Sequence, residues 1–117
     1  MKSVSVIMAT LNAGEILNRA LKSVRNQNYD QQKIEIVVAD GGSTDETLKI
    51  CKKYKAKVFA ENTGSPEAAK AVALRKAKNE LVLEIDCDNI LPNKTWLATM
   101  VASLEKEPKA TACYTWR

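Results

Sequence analysis

Short apolar runs alternate with amphipathic stretches along this chain, and that rhythm constrains the fold more than any other feature. Val4, Val6 and Ile7 mark a first strand, and Ile16, Leu17, Ala20, Leu21 and Val24 then recur at helical spacing. Ile34, Ile36, Val37 and Val38 form a second, β-branched strand. Ser43-Thr44-Asp45-Glu46 reads as a helix start, with Ser43 and Glu46 at capping-box spacing and Leu48, Cys51 and Tyr54 on one face. Val58 and Phe59 suggest a short third strand. Ser65-Pro66-Glu67 opens a third helix, capped by Ser65, with Pro66 first and a small inner face of Ala68, Ala69, Val72 and Ala73. Leu81, Val82, Leu83 and Ile85 give a fourth strand ending at Asp86. Pro92-Asn93 precedes a fourth helix with Trp96, Leu97, Met100, Val101 and Leu104, stopped by Pro108, and residues 110–116 start a fifth strand.

Strand follows helix about every 20 to 25 residues, which predicts βαβ units in a three-layer α/β/α fold with a mainly parallel sheet. The 117 residues fit a single domain, and the 45% apolar content is enough for a packed core.

Several function classes fall away early. The sequence holds no His, and Cys51, Cys87 and Cys113 form no CxxC pair, which argues against a zinc site. Without His the usual Ser or Cys triads are excluded as well. The net charge of +4 includes the cluster Lys49, Lys52, Lys53, Lys55 and Lys57. The one aromatic residue among them, Tyr54, belongs to the apolar face of the helix, so the cluster reads as a solvated helix end and not as a nucleic-acid surface. An odd cysteine count and an N-terminus that starts as a strand predict a cytoplasmic, reducing location. Membrane association of a longer form stays open.

In parallel sheets ligands bind outside the carboxyl ends of the strands, so the residues after each strand are the informative ones. They are Ala9-Thr10-Leu11-Asn12, Asp40-Gly41-Gly42-Ser43, Glu61-Asn62-Thr63-Gly64 and Asp86-Cys87-Asp88-Asn89. Turns explain small and polar residues there, but not three unpaired acids. Asp86 and Asp88, two residues apart, share one side of an extended chain. Their repulsion is relieved by a divalent cation, and their hard oxygens suit Mg²⁺ or Mn²⁺. Cys87 points the other way and is expected to be buried and unreactive. Gly41 and Gly42 permit a ligand to approach the backbone beside Asp40. Lys70, early in the third helix, reads equally as a phosphate contact or as a solvated surface lysine. No Gly-Lys-Ser/Thr follows the glycines and no GxGxxG follows the first strand, which disfavours a P-loop and a dinucleotide site.

These segments resemble the family 2 inverting glycosyltransferases, which share the GT-A fold. Val4 to Asn12 looks like the family's opening "SVIIPTYN", and Asp40-Gly41-Gly42-Ser43-Thr44-Asp45 like its "DDGSTD". Asn62-Thr63-Gly64 with Ala68-Ala69-Lys70 is similar to "N-x-G…AARN", and Glu84 to Asn89 to "FLDADD". The resemblance implies a nucleotide-sugar site made of Thr10, Leu11, Asn12, Asp40, Gly41, Lys70, Asp86 and Cys87. Asp40 would contact the base, and Asp86 the ribose or a metal water. Asp88, with Asp86, would hold Mg²⁺ or Mn²⁺ beside the diphosphate of a UDP- or GDP-linked sugar. Ala9 replaces the usual proline, Leu11 an aromatic residue and Lys70 an arginine. The family continues past the metal motif, so the resemblance implies that residues 1–117 are the donor-binding part of a longer enzyme whose catalytic base lies beyond Arg117.

Two alternatives accompany that reading. A non-catalytic nucleotide-binding or self-associating module would pair into a homodimer through an exposed sheet edge. A nucleotidyltransferase would need a basic Gly-rich loop after the first strand, and Ala9 to Gly14 is not basic.

Overall fold

Two strands buried on both faces set the frame. The computed structural model describes residues 2–107, 109, 110 and 112. In chain order the elements are β1 (Val4–Thr10), α1 (Gly14–Arg25), β2 (Ile34–Asp40), α2 (Thr47–Lys53), β3 (Lys57–Ala60), α3 (Pro66–Lys76), β4 (Leu81–Glu84) and α4 (Trp96–Lys106). A short 3₁₀ turn, Gln31–Lys33, leads into β2. The four described strands lie in the order β3-β2-β1-β4, and every pairing is parallel.

Alternation along the strands feeds two cores. Val4, Val6 and Met8 of β1 and Ile34, Ile36 and Val38 of β2 join the larger one, with Leu17, Leu21 and Val24 of α1, Ile50 and Cys51 of α2, and Leu97 of α4. Ile7, Val37 and Ala39 face the other way, against Ala69 and Ala73 of α3. Helices on both faces explain why β1 and β2 read as continuous apolar runs. The two buried alanines keep the inner face of α3 small, with Val72 partly buried beside them, so the helix axis can approach the sheet. This is the three-layer α/β/α arrangement expected from the sequence. The buried polar side chains Ser5, Thr10, Gln27, Asp40 and Thr47 sit within it. Among the described residues no buried side-chain nitrogen or oxygen lacks a partner.

The third helix starts as expected, with Ser65 Oγ accepting from Ala68 N and Pro66 in the first turn. The second does not. Ser43 and Glu46 form no capping box, because the helix begins at Thr47 and no side chain caps it at Glu46. Thr47 N instead donates to Asp45 Oδ1 at 2.9 Å. The later start shifts the buried stripe to Thr47, Ile50 and Cys51 and leaves Leu48 exposed. Ile16 is exposed for a similar reason, since α1 buries Leu17, Ala20, Leu21 and Val24. Trp96 is half-buried and packs against the larger core. The clustered lysines are exposed, and Lys57 pairs with Glu35 at 3.1 Å. No described helix is long and apolar enough to cross a membrane. Pro108 and most of the expected fifth strand, 110–116, lie outside the described residues.

Candidate functional site

The strand order turns at β1: β2 and β3 extend to one side, and β4 lies on the other. Such a switch opens a crevice at the carboxyl ends of the two diverging strands, the place where α/β sheets take ligands. Thr10 and Leu11 stand at the tip of β1, Asp40 and Gly41 at the tip of β2, and Asp86 to Asp88 just past β4.

Register brings the first pair together. Thr10 is the partner of Asp40, and its hydroxyl donates to Asp40 Oδ1 at 2.7 Å. Ser43 Oγ donates to the same oxygen at 2.6 Å, while Gly42 N and Ser43 N donate to Oδ2 at 3.0 and 2.8 Å. Asp40 is 4% exposed. Burial pushes its carboxyl up, but the hydrogen bonds from Ser43, Thr10 and Gly42 outweigh it and hold the group below the usual carboxylate range. Asp40 is therefore not an unpaired acid. Its first task is to turn the chain through Gly42, which has φ +103°.

Asn12 locks this loop to the one after β1. It adopts φ +47°, a conformation that asparagine tolerates. Its Oδ1 accepts from Thr44 N at 2.8 Å and Asp45 N at 3.3 Å, and its own N donates to Ser43 Oγ at 2.8 Å. Thr47 Oγ1, fully buried, accepts from Ala13 N and Gly14 N. Leu11 is 59% exposed above this frame. A Cβ on Gly41 would lie 3.6 Å from Leu11 Cδ1 and 3.8 Å from the Glu61 carbonyl. Leu11 and Gly41 thus form an apolar ledge beside the tips of β1 and β2.

The acids after β4 are arranged differently from the extended pair expected. The ladder makes one more bond, from Ile85 N to Ile7 O, and the chain then turns, with Asn89 N donating to Asp86 O at 3.0 Å and Asn89 Oδ1 accepting from Asp86 N at 2.7 Å. Asp86 and Asp88 are both exposed. Cys87 is half-buried against the larger core, and burial, then the charge of Asp88, pushes its thiol up, which suits an unreactive role. Lys70 Nζ lies 3.0 Å from Asp86 Oδ1 and 3.3 Å from Glu84 Oε1, so Asp86 is not unpaired either. The bond to Asp86, then that to Glu84, raises the lysine's pKa and keeps it charged.

Among the described residues no three His, Cys, Asp or Glu side chains gather closely enough to enclose a metal ion. Exposed carboxylates on Asp86 and Asp88 still fit a hard cation that keeps most of its sites for water and phosphate oxygens, as Mg²⁺ does. Sequence reasoning missed Glu84 and read Ser43 only as a cap. The period-two rule had the signal for Glu84, which shares a side with Asp86. Ser43's tie to Asp40 depends on where the next helix starts.

Comparison with known proteins decides the family. The sequence model described as Glycosyl transferase family 2 matches residues 5–117. The chain belongs to that family. It is similar to the poly(ribitol-phosphate) beta-N-acetylglucosaminyltransferases TarS and TarP of Staphylococcus aureus. Identity to TarS is 35% over 101 residues, covering 81% of this chain and 18% of TarS. Identity to TarP is 39% over 97 residues, covering 78% of this chain and 30% of TarP. The chain thus spans less than a third of these relatives. A crystal structure of TarS in complex with UDP-GlcNAc superposes with a TM-score of 0.82 at 34% identity, covering 89% of this chain and 31% of that one. The mannosyltransferase PcManGT of Pyrobaculum calidifontis, in complex with GDP-Man and Mn²⁺, gives 0.78 at 29% identity, covering 86% of this chain and 31% of that one. The parallel sheet with helices on both faces is the GT-A fold of glycosyltransferase family 2.

Proposed function

We propose that this family 2 domain binds the donor in a metal-dependent transfer of sugar from a nucleoside diphosphate sugar, UDP- or GDP-linked. The observation that carries the reading is the meeting of Thr10, Asp40 and the acids after β4 around the strand-order switch. Support comes from the similarity to TarS and PcManGT, whose structures hold UDP-GlcNAc and GDP-Man.

Each residue has a distinct task in this reading. Asp40 holds the second loop through four hydrogen bonds, so a base edge that reaches it shares oxygens already in use. The Leu11–Gly41 ledge offers an apolar surface to the base, and Gly41 lets it approach the backbone. Asn12 keeps the first two loops in one piece, which lowers the ordering cost of binding. Asp88 and Asp86 would hold Mg²⁺ or Mn²⁺, which supplies Lewis-acid stabilisation of the departing nucleoside diphosphate.

Calorimetric titration with UDP and with GDP, each with and without Mn²⁺, tests the proposal. Metal-dependent binding of one of them in the micromolar to millimolar range is expected. Absence of metal-dependent binding to both would sink it.

A further inference from the structure

Two of the acids at the end of β4, Glu84 and Asp86, already share a cation. Glu84 is in register with Ile7, and Ile7 packs against Ala69 and Ala73 of α3. Glu84 therefore projects to the α3 side of the sheet, and Asp86, two residues on, follows it. Lys70, one residue after Ala69, bridges both carboxylates, at 3.3 and 3.0 Å. Asp88 lies past the turn, exposed, and enters no ion pair among the described residues.

We propose that Lys70 is the resident counter-ion of the metal position: its ammonium occupies Asp86 until the donor's diphosphate draws it away, so that metal and nucleotide bind cooperatively. This inference rests on the donor-site reading above. Three acids within five residues repel one another, and some cation has to relieve them. A lysine suits a temporary partner, because its ammonium is a point charge on a flexible stem, whereas an arginine fork would hold a carboxylate in two places. The side chains are 32% exposed for Lys70, 58% for Glu84 and 59% for Asp86, so the bridge is weak enough to break.

The consequence is a linkage with a definite size. A metal ion arriving alone must displace Lys70 from Asp86, and so must a nucleotide that takes Lys70 onto its phosphates. When both bind, the bridge is broken once for two ligands. Each ligand then raises the other's affinity by the strength of the bridge, beyond any direct metal–phosphate contact. For an exposed, double-sided pair that strength is about 3- to 10-fold in affinity.

The test is Mn²⁺ titration followed by electron paramagnetic resonance of the free ion. It is done on wild type, Lys70→Met and Lys70→Arg, each alone and with saturating UDP or GDP. Lys70→Met should bind Mn²⁺ alone about 3- to 10-fold more tightly than wild type, and the enhancement by nucleotide should fall by the same factor. Lys70→Arg, whose fork holds Asp86 more firmly, should bind Mn²⁺ alone no more tightly than wild type and should keep the enhancement by nucleotide. If Lys70→Met binds Mn²⁺ no more tightly, or keeps the full nucleotide enhancement, the counter-ion role is wrong while the donor site stands. If wild type binds no Mn²⁺ with either nucleotide, the donor-site reading falls and takes this inference with it. A thermal melt by circular dichroism checks that the methionine variant is folded, and Lys70→Gln replaces it if not.

Discussion

Asp40 offers the sharpest test of how the site is built. Its carboxylate is buried and accepts two hydroxyl bonds on Oδ1 and two backbone amide bonds on Oδ2. In Asp40→Asn the remaining oxygen keeps the amides of Gly42 and Ser43. The new NH₂ meets the hydroxyls of Thr10 and Ser43, which can rotate to accept. What is lost is charge assistance, roughly 1 kcal/mol on each amide bond, so Asp40→Asn should destabilise by about 2 kcal/mol. Asp40→Ala loses all four bonds and leaves the buried Thr10 hydroxyl without its partner, a cost of about 4 kcal/mol. Urea denaturation followed by circular dichroism at pH 7 measures both. The folded carboxyl sits below its ordinary value of 3.8, so it is charged above that value and its stabilisation is lost as pH falls through the depressed value. The gap between wild type and Asp40→Asn should therefore close in acid, as the protonated carboxyl comes to resemble the amide. An alanine cost below about 1 kcal/mol, or equal costs for the two variants, would refute the claim that this carboxylate organises the loop.

Other consequences are open to the same measurements. Gln27, 6% exposed, accepts from Leu97 N at 2.9 Å and donates to Asn93 O at 2.6 Å, so Gln27→Leu strands a buried amide and should cost about 2–3 kcal/mol in denaturation. Gly42→Ala has free space but φ +103°, so its cost is backbone strain, about 1–2 kcal/mol. Gly41→Ala meets only ordinary contacts and should leave stability within about 0.5 kcal/mol, yet weaken UDP or GDP binding in calorimetry because a methyl stands on the ledge. Glu35 is pushed up by burial, but the bonds from Ser5, Lys78 N and Lys57 prevail and lower it below 4.5. Its contribution is present above that value and lost on acidification, so Glu35→Gln should flatten the fall in stability below about pH 4.

Much of this structure was legible in the sequence because it rests on period. The strands announce themselves through β-branched runs, and Ser65-Pro66 marks the start of α3 without tertiary help. The Ser43–Glu46 spacing misled because Ser43's hydroxyl was already committed to Asp40 in its own loop and to Asn12 from the loop after β1. Lys70 on Asp86 was out of reach for a different reason. The pairing needs β4 beside β1 and α3 above them, and neither adjacency is written in local spacing. The turn at Asp86 to Asn89 likewise depends on Asn89 folding back to Asp86 N, so the chain does not leave β4 in extended form.

Anomalous scattering from manganese, in crystals of the chain grown with Mn²⁺ and UDP or GDP, puts the assignment to its most direct test. The predicted result is a peak against Asp88, with the diphosphate beside it and Lys70 drawn from Asp86 toward the phosphates. Manganese away from both Asp86 and Asp88, or a nucleotide bound elsewhere than at the carboxyl ends of β1 and β4, would contradict it.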